Sequence, residues 1–180
     1  DTYNGLCMDH PFKTIGAAVT AMNAAIDWTE TPWARSDNLW IAPGEYAEAL
    51  TSLPYGCNII GLGDAFDLDG QRGVKIKPTA GSPVDATSVI NTRIENIAFE
   101  GVDANPIFQA DNFNRNVLVD CLFSGKPGAI TSTMGLEIVK DMTGNRITNC
   151  VFQVVHNGIY VNTDNAHSKQ ASGNIIEGCY

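Results

Sequence analysis

The sequence predicts an all-β protein, a single-stranded parallel β-helix (solenoid) with an N-terminal capping α-helix. Three observations predict it. One short pattern recurs: TRIENIAF from Thr92 to Phe99, NVLVDCLF from Asn116 to Phe123, NRITNCVF from Asn145 to Phe152, and NIIEGCY from Asn174 to Tyr180. Its polar starters, Thr92, Asn116, Asn145 and Asn174, are spaced by 24, 29 and 29 residues, a period that signals a solenoid. A second family of alternating strands lies between the copies: GVKIKP (Gly73–Pro78), PIFQAD (Pro106–Asp111), GLEIVKD (Gly135–Asp141) and NGIYVNT (Asn157–Thr163). Finally, no helical pattern fills the gaps, which excludes a βαβ sheet, and the period is too long for a β-hairpin.

In chain order, Asp1 to His10 is a polar lead-in. From Pro11 to Trp28, apolar residues at Phe12, Ile15, Val19, Met22 and Ile26 follow helical spacing, with Pro11 suited to the first turn. Solenoid ends carry open sheet edges that need covering, so this helix reads as a cap, and a helix that docks to a partner is the alternative. Residues 1–37 are the lead-in and cap; residues 38–180 are the β-helix, expected to be incomplete at its C-terminal end. The fourth copy of the pattern stops at Tyr180, one residue before the aromatic slot. Asn38 with Trp40, and Asn58 with Ile60, extend the series to six candidate units.

Stacking at the inter-strand spacing, about 4.8 Å, turns equivalent positions into columns. Ile94, Leu118, Ile147 and Ile176 form one interior column; Ile97, Cys121, Cys150 and Cys179 form another; Phe99, Phe123 and Phe152 form an aromatic row. Ala98, Leu122 and Val151 would point outward and leave a moderately apolar face. Asn96, Asp120 and Asn149 sit where the chain must turn, and these residue types tolerate left-handed backbone. Gly178 takes that slot in the last copy.

The chain has 180 residues, enough for one domain with a real core. The net charge of -9 argues against nucleic acid and anionic membrane as partners, and no apolar run is long enough to span a bilayer. No signal peptide is visible, and a start at Asp1 is expected of a processed piece of something longer. Five cysteines without a CxxC pair suggest folding in a reducing compartment. Three of them share one repeat slot. They read as small apolar side chains in a core; the other reading, a metal or redox site, lacks a fourth ligand, because no His repeats in register.

These residues resemble the right-handed parallel β-helix of the pectin-lyase-like superfamily. The turn Asn with an inward residue on each side is similar to that family's asparagine ladder. Pro11-Phe12-Lys13-Thr14-Ile15, followed by Ile41-Ala42-Pro43-Gly44-Glu45-Tyr46-Ala47-Glu48, resembles a common opening of such proteins. The resemblance implies a fold and leaves function open among lyases, esterases, hydrolases, epimerases and non-enzymatic virion proteins, including phage tailspikes. The catalytic strings of the esterases and the epimerase DPH string are absent; Gln109-Ala110-Asp111, with Arg115 following, is the nearest approach.

Candidate sites follow from residue chemistry. Glu100, Asp103, Asp111 and Asp120 come from neighbouring coils and would converge on a groove, with Asp103, Asp111 and Arg115 as the catalytic candidates. The other reading is solvated turn residues. Asp64, Asp67 and Asp69 precede Gly70 and would hold calcium through hard oxygen ligands, or simply form a polar loop. Trp28, Trp33, Trp40, Tyr46 and Tyr55 gather near the cap. Of these, Trp33 and Tyr46 are the candidates for stacking on sugars, and gluing the cap to the first coil is the other role. His10, His156 and His167 are isolated. The expected function is a structural or glycan-recognising module of a larger extracellular or phage virion assembly, trimeric or continued by a longer chain, folded in the cytoplasm. The alternative is a polysaccharide lyase or glycoside hydrolase. Irregular insertions at Gly61–Gly73, Val102–Arg115 and Ser124–Met134 are the expected places for a site.

Overall fold

The computed structural model describes residues 11–26, 37–66, 72–128, 133–162 and 170–180. The chain winds as a parallel β-solenoid of about five turns, with one short helix near its N-terminus. Each full turn contributes three strands to three sheets. The first sheet stacks β1 (Asn38–Ile41), β3 (Asn58–Gly61), β6 (Arg93–Glu95), β9 (Val117–Val119), β12 (Arg146–Thr148) and β16 (Ile175–Glu177). The second stacks β2 (Gly44–Tyr46), β4 (Val74–Ile76), β7 (Ile97–Glu100), β10 (Leu122–Ser124) and β13 (Val151–Gln153). The third stacks β5 (Val84–Ile90), β8 (Phe108–Asn114), β11 (Met134–Thr143) and β14 (Asn157–Val161), with β15 (Ala171–Ser172) also paired to β11. GVKIKP therefore belongs to the second sheet, and the other three members of its sequence family to the third. Much of Val102–Arg115 is the regular strand β8.

The expected interior columns form except at their last members, because Ile176 is half exposed and Cys179 only partly buried. Ile94, Leu118 and Ile147 are in register and buried, and Ile97, Cys121 and Cys150 are buried beside them. Phe99, Phe123 and Phe152 stack with centroids 5.4 and 4.8 Å apart and interplanar angles of 18° and 9°. Phe108 packs edge-on against Phe99 at 5.5 Å. Burying each such ring contributes about 1.5–3 kcal/mol, so the row is a principal source of cohesion. Room for Phe152 comes from two stacked glycines: a Cβ on Gly135 would lie 2.5 Å from Phe152 Cδ1, and one on Gly158 3.2 Å from its Cγ.

Three expectations need correction. First, the units at Asn38 and Asn58 are shifted by one residue. Asn38 pairs with Asn58, and Asn58 with Arg93, not with Thr92. Leu39 and Ile59 accordingly occupy the interior column, while Trp40 is 58% exposed. Second, Ala98 and Leu122 form no apolar outer face, because both are buried. Their column neighbour Lys75 is buried too, with its ammonium 3.8 Å from Glu45 and 3.4 Å from Glu100. Third, Pro11 precedes the helix. Helix α1 spans Ile15–Ala24, because Thr14 adopts extended backbone and its hydroxyl accepts from the Ala17 N–H, an N-cap.

Glu48 completes that helix start. Its two carboxylate oxygens accept from the Ile15 and Gly16 N–H groups at 2.9 and 2.8 Å. A helix N-terminus has four unpaired N–H groups and a partial positive charge, and Thr14 and Glu48 together satisfy three. Ile15 and Val19 join the same core cluster as Ile41 and Leu50, so α1 docks on the first coil. No helix among the described residues is long and apolar enough to cross a membrane.

The left-handed turns occur where expected: Asn96, Asp120 and Asn149 have φ of 61°, 51° and 54°, and Gly178 63°. The hydrogen-bonded amide ladder, however, runs through the polar starters at the other corner. The Oδ1 atoms of Asn116, Asn145 and Asn174 accept from the backbone N–H groups of Thr92, Asn116 and Asn145 at 2.9, 2.8 and 3.0 Å. These starters point into the turn and are buried up to Asn145, whereas Asn96 spends its amide on the carbonyls of Gly61 and Gly63.

Candidate functional site

Along the third sheet, alternation sends Phe108 and Ala110 of β8 into the core and Gln109 and Asp111 outward. Register then builds a row across the outer face. Asp85 stands beside Gln109, Gln109 beside Glu137, and Glu137 beside Tyr160. Neighbours in this row are separated by one inter-strand step, about 4.8 Å. Tyr160 is 37% exposed although the strand around it packs on the core.

A β-bulge sits next to this row. Ile138 pairs with Ala110 and Asp141 with Asn112, so Val139 and Lys140 together oppose the single residue Asp111. Bulges re-aim side chains, and here the Lys140 ammonium lies 2.7 Å from Asp111 Oδ2. The Glu137 carboxyl has no hydrogen-bond or ion-pair partner among the described residues, and burial pushes it above the usual range. The face therefore offers an amide, a partly desolvated carboxyl, a carboxylate–ammonium pair and an aromatic ring on rigid strands. That combination bonds hydroxyl groups and stacks on an apolar ring face.

The sequence-derived candidates distribute as follows. Asp111 belongs to this face. Asp103 lies in the connection between β7 and β8, where its carboxylate accepts from the Asn105 and Gly81 N–H groups at 2.9 and 3.0 Å. The Asn105 bond, with smaller help from Gly81, holds its carboxyl below the usual range. Arg115 is exposed at a left-handed turn (φ 57°), its N–H donating to the Thr143 carbonyl at 2.8 Å. No hydrogen bond or ion pair links the three among the described residues. Glu100 is held by Lys77 at 2.6 Å and by Lys75, and Asp120 sits in its turn.

Tyr46 heads the aromatic row, in register with Ile76 and through it with Phe99. Its hydroxyl donates to the Ala42 carbonyl at 2.8 Å; burial first, and the Glu48 charge second, push that hydroxyl's pKa up. Asp64 Oδ1 accepts from the Phe66 N–H at 2.9 Å. Asp67, Asp69, Trp28, Trp33, His10 and His167 lie outside the described residues. Among the described residues no three His, Cys, Asp or Glu side chains gather as a metal site.

Sequence reading missed Asp85, Glu137, Lys140 and Tyr160. Two of them carried a signal: Gly135-Leu136-Glu137-Ile138 matches Gly158-Ile159-Tyr160-Val161, which places Glu137 and Tyr160 in one column. Asp85 lies on a strand the repeat does not mark, and the aim of Lys140 depends on the bulge. No protein-family model, no curated protein and no solved structure matches the chain.

Proposed function

We propose that the chain is a structural, glycan-recognising solenoid module of a larger extracellular or phage virion assembly, with the outer face of the third sheet as its sugar-contacting surface. The observation that carries this reading is the registered row Asp85, Gln109, Glu137 and Tyr160 beside the Asp111–Lys140 pair. A net charge of -9 repels uronate-rich polymers, so the preferred ligand is a neutral glycan. Binding to arrays of neutral and uronate-rich glycans tests it. Tyr160→Ala and Gln109→Ala should each weaken the best neutral ligand about tenfold, the loss of one stacking or hydrogen-bonding contact of ~1.4 kcal/mol. Absence of binding, or binding indifferent to both substitutions, would sink the reading.

A second reading, glycoside hydrolysis, is favoured by the carboxyls of Glu137 and Asp111. Asp111 lies two residues along the neighbouring strand from the partner of Glu137, on the same outer face. Inverting glycosidases need their acid and base carboxyls roughly 6.5–9.5 Å apart, and this reading requires the two side chains to meet that separation. Glu137, biased toward its protonated form, would be the acid. New reducing ends from neutral glycans, lost in Glu137→Gln and Asp111→Asn, would select this reading. New unsaturated ends from uronate polymers would point to a lyase instead.

A further inference from the structure

The repeat brings two thiols together inside the core. Cys121 and Cys150 each follow a left-handed turn residue, Asp120 and Asn149, and each precedes a strand of the second sheet, β10 or β13. Register holds on both sides of the pair. Val119 stands beside Thr148, and Leu122 beside Val151. The Asp120 N–H donates to the Thr148 carbonyl at 3.2 Å, and the Val151 N–H donates to the Cys121 carbonyl at 2.9 Å. The two Cα atoms are therefore one inter-strand step apart, about 4.8 Å. Both cysteines are free and fully buried.

The sulfur contacts are equally local. Cys121 Sγ lies 3.3 Å from the Val119 carbonyl oxygen and 3.7 Å from that of Ile94, and Cys150 Sγ lies 3.5 Å from that of Thr148. The Cys121 thiol also donates to the Cys150 sulfur, which is the main reason the Cys150 thiol sits below its usual range. Burial first, and that bond second, push the Cys121 thiol up. Cys150 is thus the readier thiolate, the reactive form of cysteine. Cys179 follows in the same column, where the Tyr180 N–H donates to the Cys150 carbonyl at 3.1 Å, but the principal thiol contact of Cys150 is Cys121. Cys57 stands at another corner, its carbonyl accepting from the Arg93 N–H.

We propose that Cys121 and Cys150 are a site of reversible oxidation, at which a small-molecule disulfide such as oxidised glutathione installs a crosslink between adjacent coils. A disulfide joins Cα atoms about 4.4–6.8 Å apart, and the register meets that window. Its Cβ atoms lie about 3.5–4.5 Å apart, so the coils draw together slightly at this point. Two exchanges complete the reaction. The Cys150 thiolate attacks one glutathione sulfur, giving a mixed disulfide and releasing one glutathione thiolate. Cys121 then loses its proton and attacks the Cys150 sulfur, which forms the protein disulfide and releases the second glutathione. Two protein thiols are oxidised, and one small disulfide is reduced to two thiols. Because both sulfurs are buried, exchange takes place when the coil opens locally or before it closes during folding. Joining positions 29 apart closes one complete coil. The crosslink restricts that loop in the unfolded chain and ties two neighbouring rungs whose interface contributes to solenoid stability. This inference goes beyond the sugar-contacting face and does not depend on it.

The test refolds the full chain from urea in a glutathione redox buffer, so that burial does not limit exchange. The product is acid-quenched, alkylated and peptide-mapped by mass spectrometry. A linked Cys121–Cys150 peptide pair is expected as the main oxidised product. Its melting temperature should exceed that of the reduced chain by about 5 °C or more, and reductant should abolish the difference. The Cys179→Ala chain should give the same link and the same rise, and Cys150→Ala should give neither. Should Cys150→Ala fail to fold, the parent and Cys179→Ala chains carry the test unaided. Four results would each overturn the proposal: both thiols reduced or singly capped by glutathione in fully oxidised buffer, a main link through any other cysteine, a link between molecules, or a melting temperature that does not rise on linking.

Discussion

Glu137 shows how one side chain reports on its surroundings. It stands between Gln109 and Tyr160 on the outer face, and desolvation raises its pKa. A carboxyl whose folded pKa lies above its unfolded one contributes stability below the unfolded value and loses it as pH rises through the folded value. Glu137→Gln, which cannot ionise, should therefore gain stability over the parent chain between acid and neutral pH. Melting curves of both proteins from pH 3.5 to 7.5 check this; a difference that stays flat across that window would mean Glu137 is not desolvated. At the residue scale much was legible, because the starters, the turn Asn residues and the Phe row are fixed by chemistry repeated at a constant interval. The ladder was assigned to the wrong corner because both corners carry Asn, and only backbone direction distinguishes a side chain closing a neighbour's N–H from one that merely tolerates positive φ. The one-residue shift at Asn38 and Asn58 has a similar cause. Both precede apolar residues at two successive positions, so alternation alone gives two registers, and burial of Leu39 and Ile59 decides between them.

At the scale of elements, α1 depends on a residue 33 positions away. Glu48 closes the Ile15 N–H across that separation and the Gly16 N–H beside it. The segment 43–48 thus has two structural roles, with Tyr46 in the aromatic row and Glu48 at the helix start. Glu48→Ala leaves two N–H groups and the helix's positive end without their carboxylate, and hydrogen bonds to charged groups contribute about 1.5–3 kcal/mol. A destabilisation of that size in urea unfolding is expected, with earlier proteolysis within residues 11–26 than in the β-strands. Unchanged cleavage of the helix would show that Ile15 and Val19 hold it without the cap. Helix existence was readable from 3,4 spacing, but its start was not: Pro11 suits a first turn by itself, and Thr14 wins because its hydroxyl and Glu48 meet there. The third sheet was half readable, since β11 and β14 share a pattern, while β5 has no marker residue and the bulge in β11 leaves no mark in sequence.

The whole molecule is close to one-dimensional, because each rung touches mainly its neighbours and stability is a sum of rung and interface contributions. Burial follows that logic along one column: Leu118 and Ile147 are fully buried, while Ile176 is half exposed, and the first-sheet strands pass from partly buried in β12 to exposed throughout β16. Equal chemistry should therefore have unequal consequences. Ile147→Ala removes side-chain packing with rungs on both sides and should cost about 2–5 kcal/mol. Ile176→Ala, with a rung on one side only, should cost below about 1 kcal/mol. Hydrogen exchange should show the same gradient, with the amides around Leu118 opening only with global unfolding and those of β15 and β16 exchanging by local fraying. Similar losses for both substitutions in chemical denaturation, or uniform protection from β9 to β16, would mean that the solenoid unfolds as a single cooperative block.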